Sequence, residues 1–481
     1  MYLARDLSRL PARRPQPIPL LLPLQSNPGR YGHDGPTQLI NCYVENAGKE
    51  GKIEWPVYAI DGLSSFSTLS GGGQCRGLHD LTTEGLAVSA RQIYSVDPAG
   101  TATTKGGIPG DGFCTFATNR NTTEQTAIAT EDGNVFSYIS GALNDLSGNV
   151  PLPPNSVDFI DGYTLYFIDS GRVYYSAIDD LTSVGALDFF TAEGSNDNLR
   201  RGIVHNRTIY LLGNKTVERW WNDGTPFARV PGGFHEIGCA SGASAAKSSD
   251  GILFVTNKGG VVQLTQAGGF TPVSTHAVER SIASISDKTT IEGFVENRQG
   301  REFYHLSAAT FTWVLDLQKG FWFEKQSQAK TRWLGAQYMD FAGKRIVGDF
   351  ESGLLYEINK DAYDEAGENL TMVARFPVHA WPEPISLKTL DVDMIPGVGL
   401  NSADLHDSDP QLMLRLSTNG GKSWGDEKSR SIGKIGQHTA QTHFDKLGTS
   451  LTDGFVVELK VSAAVIKGIT GVSGTPAVKR R

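Results

Sequence analysis

A loose repeat is the feature of this chain that most limits what it can fold into. Each copy has an apolar run, a turn of Gly, Asp or Asn, and a second run rich in aromatic and β-branched residues. The copies start roughly 30 to 50 residues apart, around the ~40–50 residues typical of β-propeller blades. Radially repeated small sheets protect their own edges, so the pattern predicts a rigid disc suited to a scaffold. The clearest copies are residues 86–96, 128–139, 157–178, 203–221, 252–264, 303–323 and 341–358.

The predicted strands carry large side chains on both faces. Residues 163–168 and 173–176 place aromatic side chains on both sides of their strands, as expected where blades stack face to face. Long helical patterns are nearly absent, and a hydrophobic content of 39% indicates a globular body. We therefore expect an all-β protein built on a β-propeller. The blade number is six or seven, because the weakest copy, residues 86–96, could instead belong to an N-terminal arm.

Local composition divides the chain into three predicted parts. Residues 1–50 are expected to form a Pro-rich N-terminal arm and a first turn-rich segment, residues 51–368 the propeller, and residues 369–481 a C-terminal β domain. The second boundary follows the polar run of residues 364–368. Beyond it, about five apolar runs and the turn Asn419-Gly420-Gly421 predict a small β-sandwich or barrel.

The N-terminus has the positive charges and apolar stretch of a signal peptide, with the apolar part at residues 18–24. Prolines interrupt this stretch, and no convincing small-residue cleavage site follows it, so an extended arm on a neighbouring surface is the expected structure. Elsewhere the sequence never approaches the ~20 consecutive apolar residues of a membrane-spanning helix. No membrane-spanning segment is therefore predicted.

Charge is unevenly distributed along the chain. The net charge is −8, but residues 51–370 alone carry 25 Lys and Arg against 37 Asp and Glu, a net of −12. An acidic surface repels phosphate, which argues against tight binding of nucleic acid irrespective of its sequence. It leaves open that DNA passes close to the protein.

The four cysteines lie far apart and show no Cys-x-x-Cys spacing, so neither a zinc site nor a disulfide framework is indicated. Free, buried and reduced thiols are expected instead, as in a protein that folds in a cytoplasm. These cysteines are Cys42, Cys75, Cys114 and Cys239.

No motif in the sequence carries recognisable catalytic or cofactor chemistry. A nucleophile elbow followed by a helix is missing, and the glycines at 71–73 and 106–107 are not followed by the Lys-Ser/Thr of a phosphate-binding loop. The histidines lack the i, i+4 spacing of a helical metal pair. We therefore predict no catalytic residue, no cofactor-binding residue and no metal ligand. The scattered histidines are His79, His205, His235, His276, His305, His379, His406, His438 and His443.

One acidic loop could hold calcium, since Asp404, Asp407 and Asp409 crowd it together with His406. It lacks the glycine and the terminal glutamate of an EF-hand, so a solvated loop is the favoured interpretation.

Two aromatic clusters offer a second alternative. If exposed, the pair Trp220-Trp221 or the triplet at residues 321–323 would suit a sugar or a base. Packing between blades is the favoured interpretation of both.

Three sets of segments together resemble one protein family. The first comprises residues 38–45 (QLINCYVE), Gly48-Lys49 and residues 61–63 (DGL), and the second residues 161–163, 174–177 and 214–218. The third and most specific is residues 416–425 (LSTNGGKSWG), followed by 431–433, Gly436, 447–448 and 455–461. They resemble the tail-nozzle proteins of short-tailed bacteriophages, also called packaged-DNA stabilisation or tail accessory proteins. The chain departs from the family pattern at Asp61, where proline is common, and at residues 444–446, where Arg and aromatic residues are common.

The resemblance implies a β-propeller with an added β domain, assembled as a homohexameric ring around the DNA exit channel. Such a protein lies in the virion tail below the portal and its adaptor ring. It retains packaged DNA, docks tailspikes or tail fibres and a plug or needle protein, and is not an enzyme. DNA passes its lumen without sequence-specific binding, and the protein is made and assembled in the cytoplasm of the bacterial host.

Two hypotheses follow for the ring. Much of the propeller's acidic charge would face the lumen and let DNA slide, so neutralising it should slow DNA release. The apolar residues 18–24 of the arm would cross onto the next subunit, so that deleting residues 1–25 should leave a folded monomer without stable rings.

Two other classes of protein remain open at this stage. One is a receptor-binding or polysaccharide-binding propeller, which requires exposed aromatic pairs. The other is a propeller enzyme, a glycosidase or lyase acting on polysaccharide, which requires carboxylates that converge at an open pocket.

Overall fold

A four-stranded antiparallel sheet is the repeating element of the fold. The structure, a computed structural model, describes residues 16–31, 35–192, 194–195, 197–379 and 383–478. Within these residues, seven such sheets follow one another as the blades of a propeller, and each of the seven sequence repeats lies in one blade. The predicted propeller is thus confirmed, with seven blades. Residues 86–96 form the two middle strands of a complete first blade and are not part of an arm.

The strands of each blade follow one another from the centre of the disc outward. Those of blades 1 to 4 are, in order, Cys75–Asp80, Gly85–Ser89, Gln92–Val96 and Ala102–Gly107; Cys114–Thr118, Gln125–Thr130, Val135–Ile139 and Ala142–Asp145; Pro154–Ile160, Tyr163–Ile168, Arg172–Ala177 and Asp180–Thr191; Leu199–His205, Thr208–Gly213, Val217–Asn222 and Phe227–His235. Those of blades 5 to 7 are Ala246–Ser248, Gly251–Val255, Val261–Thr265 and Phe270–Pro272; Glu292–Arg298, Arg301–Ala308, Phe311–Asp316 and Phe321–Glu324; Gly335–Phe341, Lys344–Asp349, Leu354–Asn359 and, from the N-terminal side of the propeller, Gly62–Thr68.

An N-terminal strand closes the disc. Gly62–Thr68 pairs antiparallel with Leu354–Asn359 and becomes the outermost strand of blade 7. The first and last parts of the propeller therefore share one sheet, and the disc opens only if these main-chain hydrogen bonds break.

Blades bury both of their faces, as the sequence pattern indicates. In blade 3, Leu165, Tyr166 and Phe167 are all fully buried although consecutive residues point to opposite faces. The hairpin before them turns through Asp161 and Gly162, with φ of 50° and 99°. Two consecutive positive φ values define the tight turn whose twist matches that of the strands, which explains the Asp-Gly pair there.

The antiparallel order gives the disc two distinct faces. We call the face at which the first strand of each blade begins the upper face; it carries the turn of residues 256–260 in blade 5. The lower face, at which these first strands end, carries the turns at residues 81–84, 119–124 and 178–179 of blades 1, 2 and 3.

The rest of the described chain forms two sheets packed on each other as a β-sandwich, which confirms the predicted second β domain. Leu39, Phe376 and Phe455 of one sheet and Leu390 and Phe444 of the other share its core. The first sheet contains Pro36–Ile40, Met372–Val378, Gln411–Ser417, Lys428–Ser431 and Phe455–Val461, with Asn27–Pro28 at its side. The second contains Ile18–Pro19, Cys42–Val44, Val57–Ala59, Ile385–Met394, Thr442–Asp445 and Gly468–Val478.

Strand pairing joins parts of the chain that the sequence analysis separated. Pro36–Ile40 pairs with Met372–Val378, so residues placed in the N-terminal arm belong to the sandwich. Ile40 also forms a parallel bridge to Glu324, at the outer edge of blade 6. One continuous ten-stranded sheet therefore runs from the propeller into the sandwich, and the covered edge of blade 6 is unavailable for pairing with another chain.

The apolar stretch at residues 18–24 lies on its own chain. Ile18 and Pro19 pair with Gly474 and Ser473, and Leu22 is buried in the sandwich core. The expectation that this stretch crosses onto a neighbouring subunit is therefore wrong for Ile18, Pro19 and Leu22, because they already have partners in their own sandwich, whereas Leu21 is 62% exposed. Residues 1–15, the first part of the predicted arm, lie outside the described residues.

Helices are few in the described part of the chain: α1 (His276–Ala283), α2 (Leu405–Ser408) and two short 3₁₀ turns, Gly242–Ser244 and Lys288–Thr290. Helix α1 lies between blades 5 and 6 and buries Ala277, Val278 and Ile282. Neither helix has the length and apolarity required to cross a bilayer. The four cysteines are free and buried, as predicted.

Candidate functional site

The histidines singled out in the sequence remain dispersed in the fold. The described residues contain no group of three or more His, Cys, Asp or Glu side chains placed to hold a metal ion. His305 is buried and bonds Glu296, whereas His443 lies on the surface beside Asp391. The prediction that the chain has no catalytic, cofactor-binding or metal-binding residues stays a prediction.

The acidic loop uses its carboxylates for its own structure. Asp404 caps helix α2 by accepting the N–H of His406, and Asp407 accepts the N–H of Ala464. Asp409 accepts a hydrogen bond from the hydroxyl of Ser431. Each carboxylate thus has a local donor, as expected for a solvated loop.

The aromatic clusters are divided between packing and exposure. Trp220 is half-buried and its ring lies 4.8 Å from that of Phe190, whereas Trp221 is 48% exposed. In the triplet, Trp322 and Phe323 are buried. Phe321 packs against Trp55, with ring centres 5.7 Å apart. Packing therefore accounts for four of these five side chains, and Trp221 is the one that a sugar could reach.

A buried network of charges fastens the propeller to the sandwich. Asp61, just before the closure strand, accepts hydrogen bonds from Arg298 of blade 6 at 2.7 Å and from Arg345 of blade 7 at 2.6 Å. Arg345 also bonds Glu296 at 2.7 Å, which in turn contacts His305. Charge-assisted hydrogen bonds of this kind fix geometry as well as adding energy.

Electrostatics within the network follow from burial and proximity. Burial opposes the charge of Glu296, but Lys325, His305 and Arg345 together hold its pKa below the ordinary value. Burial, with Lys325 adding to it, lowers the pKa of His305 to about 4. His305 is therefore neutral at physiological pH. The charged side chains of the network have a structural role, because they hold one another in place.

An ion pair links the inner strands of three consecutive blades. Lys247, on the first strand of blade 5, lies 2.8 Å from Asp158, on the first strand of blade 3. Asp158 also accepts the N–H of Val204 in blade 4, so one carboxylate ties three blades together.

A groove of about 930 Å³ lies on the upper face. Three parts of the chain build it: the segment before residue 31, the turn at residues 256–260 of blade 5, and residues 272–288 around helix α1. Arg280 of α1 donates a hydrogen bond to the carbonyl oxygen of Pro28, which holds the first part against the third.

The groove is strongly basic although the protein is acidic. Four cations line it, and within the described residues none of them forms an ion pair: Arg30, Lys258, Arg280 and Lys288. The one carboxylate of the lining, Glu279, is engaged by the hydroxyl of Ser274 and the ring of His276, both at 2.9 Å. We call this feature the basic groove. It suits a ligand that carries several negative charges.

Sequence reasoning did not find the basic groove. Its cations are spread from residue 30 to residue 288, and the sequence contains no local run of Lys and Arg that would indicate a basic site there. Lys258, Arg280 and Lys288 meet where blade 5 lies beside α1, and the N-terminal segment held against α1 adds Arg30.

The described residues form a propeller joined to a sandwich, and their main surface features are charged. This arrangement is that of a scaffold-like protein. The family model described as "Bacteriophage P22 Gp10, beta-propeller" matches residues 57–363. This match covers more than half of the chain, so the chain belongs to that family of phage structural proteins. The family resemblance found in the sequence is thereby confirmed.

Two solved structures are weakly similar to part of this chain. The WD40 β-propeller domain of Doa1 is 15% identical, with a TM-score of 0.42, over 62% of this chain and 96% of that chain. The computationally designed Ika8 protein is 11% identical, with a TM-score of 0.38, over 62% of this chain and 99% of that chain. No curated protein matches the sequence.

Proposed function

We propose that this protein forms the tail nozzle of a short-tailed phage: a homohexameric ring below the portal and its adaptor ring. The ring retains the packaged DNA and docks tailspikes or tail fibres and a plug or needle protein. It has no enzymatic activity and no cofactor. The observation that carries the proposal is the family match over residues 57–363.

The joint between propeller and sandwich supports a mechanical role. The ten-stranded sheet and the network around Asp61 attach the two parts through main-chain hydrogen bonds and buried ion pairs. A ring that withstands the pressure of packaged DNA requires subunits whose parts do not hinge, and such attachments resist hinging.

The path of DNA follows from the closed disc. The inner strands of blades 3, 4 and 5 are tied together by Asp158 and Lys247, and DNA passes between copies, along the axis of the ring. The net charge of −12 on residues 51–370 then favours sliding over binding, provided that much of it faces the lumen. The buried free cysteines suit folding and assembly in the host cytoplasm.

The mass of the purified full-length protein, with negative-stain images of the same sample, tests the proposal. Rings of six with an open channel, formed alone or on a portal–adaptor complex, are the expected result. A protein that stays monomeric and ignores the portal–adaptor complex would refute the nozzle. If that monomer bound polysaccharide and lost binding in Trp221→Ala, a polysaccharide-binding module would replace it.

A further inference from the structure

The surface of the disc carries two patches of opposite charge on opposite faces. One is the basic groove on the upper face at blade 5. The other, on the lower face at blades 1 to 3, we call the acidic patch: Asp80, Glu84, Glu124, Asp179 and Asp180.

Hydrogen bonds show that the turns of the acidic patch are neighbours. Thr82 of the blade 1 turn donates to Glu124 of the blade 2 turn at 3.2 Å. The N–H of Arg120, also in the blade 2 turn, donates to Asp179 of blade 3 at 3.3 Å. The carboxylates of three blades therefore form one continuous surface.

Two of the cations near the acidic patch are placed over aromatic rings. Arg120 lies 5.4 Å from the ring centre of Phe159, and Lys105 lies 5.8 Å from that of Tyr138. A third, Lys247, is paired with Asp158, outside the patch. The five carboxylates outnumber these cations and leave the patch negative, as the cations of the groove leave the groove positive.

We propose that the basic groove of one copy receives the acidic patch of the next copy, as the repeating contact of the ring. This inference rests on the proposed function, because a closed ring needs a heterologous contact in which one surface meets a different one. The groove and the patch are such a pair, with opposite sign and on opposite faces of the same chain.

Nucleic acid fits the groove less well than carboxylates do. The lining contains no Phe, Tyr or Trp among the described residues, and its His276 ring is bonded to Glu279, so bases find little aromatic surface on which to stack. The net charge of −8 repels a long polyanion before contact. A compact protein patch is repelled less by the net charge, because at physiological ionic strength salt screens charges that are more than about 8 Å apart. Only the nearest charges of the two surfaces then act on each other.

Charge reversal in the full-length protein tests the contact. Lys258→Glu with Lys288→Glu reverses the groove, and Glu84→Lys with Glu124→Lys reverses the patch. Each pair alone should weaken ring formation by roughly 100-fold or more, since like charges would then face each other. Combining all four substitutions restores opposite signs and should restore rings. Lys434→Glu with Lys49→Glu, at exposed sites away from the groove, changes net charge equally and should leave rings intact.

Mass photometry at low and high salt gives the readout, with or without the portal–adaptor complex according to which condition yields wild-type rings. Rings that survive groove reversal, or a loss that the fourfold variant does not rescue, would overturn this contact while leaving the nozzle standing. Wild-type protein that never forms rings would instead refute the proposed function. Groove reversal that abolishes binding of labelled duplex DNA but keeps rings would assign the groove to DNA and also overturn the contact.

Discussion

The substitution Asp61→Asn tests how the closure of the propeller is held. Asp61 immediately precedes the closure strand Gly62–Thr68, and its side chain is 8% exposed. It accepts hydrogen bonds from Arg298 and Arg345, which are each 18% exposed. Asparagine keeps the shape of the side chain but removes its charge, so both guanidinium groups lose a charged acceptor in a nearly dry site.

The loss of stability in Asp61→Asn depends on the interaction partners that each arginine keeps. Arg345 keeps Glu296 at 2.7 Å as a second carboxylate. Arg298 has no second carboxylate partner within the described residues and keeps only the ring of Tyr43, at 4.9 Å. Removing one partner of a buried ion pair costs about 3–5 kcal/mol, and the residual exposure of the arginines points to the lower end, about 3 kcal/mol. This is a large part of the ~5–15 kcal/mol that stabilises a typical domain.

Urea unfolding, followed by tryptophan fluorescence and circular dichroism, measures the loss as a lower midpoint. The matched control is Asp111→Asn, which removes the same charge from an exposed pair with Arg91, where the two side chains are 80% and 66% exposed. The control should have the same urea midpoint as the wild-type protein. If Asp61→Asn also had the wild-type midpoint, water would be solvating the two arginines and the buried network would not hold the closure.

Three further outcomes are expected. Burial raises the pKa of Glu365 from 4.5 to about 7. Protonated Glu365 therefore contributes fully to the stability of the fold below pH ~4.5, and this contribution is lost as the pH rises through ~7. Urea midpoints should therefore show Glu365→Gln equal to wild type at pH 4 and more stable by up to about 3 kcal/mol at pH 8; an equal difference at both pH values would contradict this. At Gly62 a Cβ would lie 2.3 Å from the carbonyl oxygen of Asp364, so Gly62→Ala should cost roughly 1–3 kcal/mol, whereas Gly148→Ala, with open space around it, should leave the urea midpoint unchanged; equal midpoints for the two variants would refute the steric argument. The native protein should not react with Ellman's reagent, because its four thiols are buried, and all four should react after unfolding; a fast-reacting native thiol would disprove their burial.

The sequence predicted those features of the fold that depend on residues close together in the chain. The apolar and aromatic runs located every blade, and the spacing of the cysteines indicated free thiols. The closure strand and the path of the N-terminal segment were missed. Gly62–Thr68 pairs with strand Leu354–Asn359, almost the length of the propeller away in sequence, and a period of two residues carries no information about so distant a partner. The basic groove was missed because its cations meet through the packing of blade 5, α1 and the N-terminal segment, which no short run of sequence encodes.

The topology of the sandwich also sets when a new chain becomes competent for assembly. The strands up to Ala59 must wait for Met372–Val378 and the later strands, because the whole propeller is encoded between them. At bacterial rates of synthesis this interval is roughly 15–60 s. During this time Pro36–Ile40 has only the short strand Asn27–Pro28 as a neighbour from the sandwich, and Arg30, which precedes Pro36–Ile40, is not yet held at the groove by the finished fold. A chain released early would therefore lack a complete groove, and the order of translation itself would keep unfinished subunits out of the growing ring.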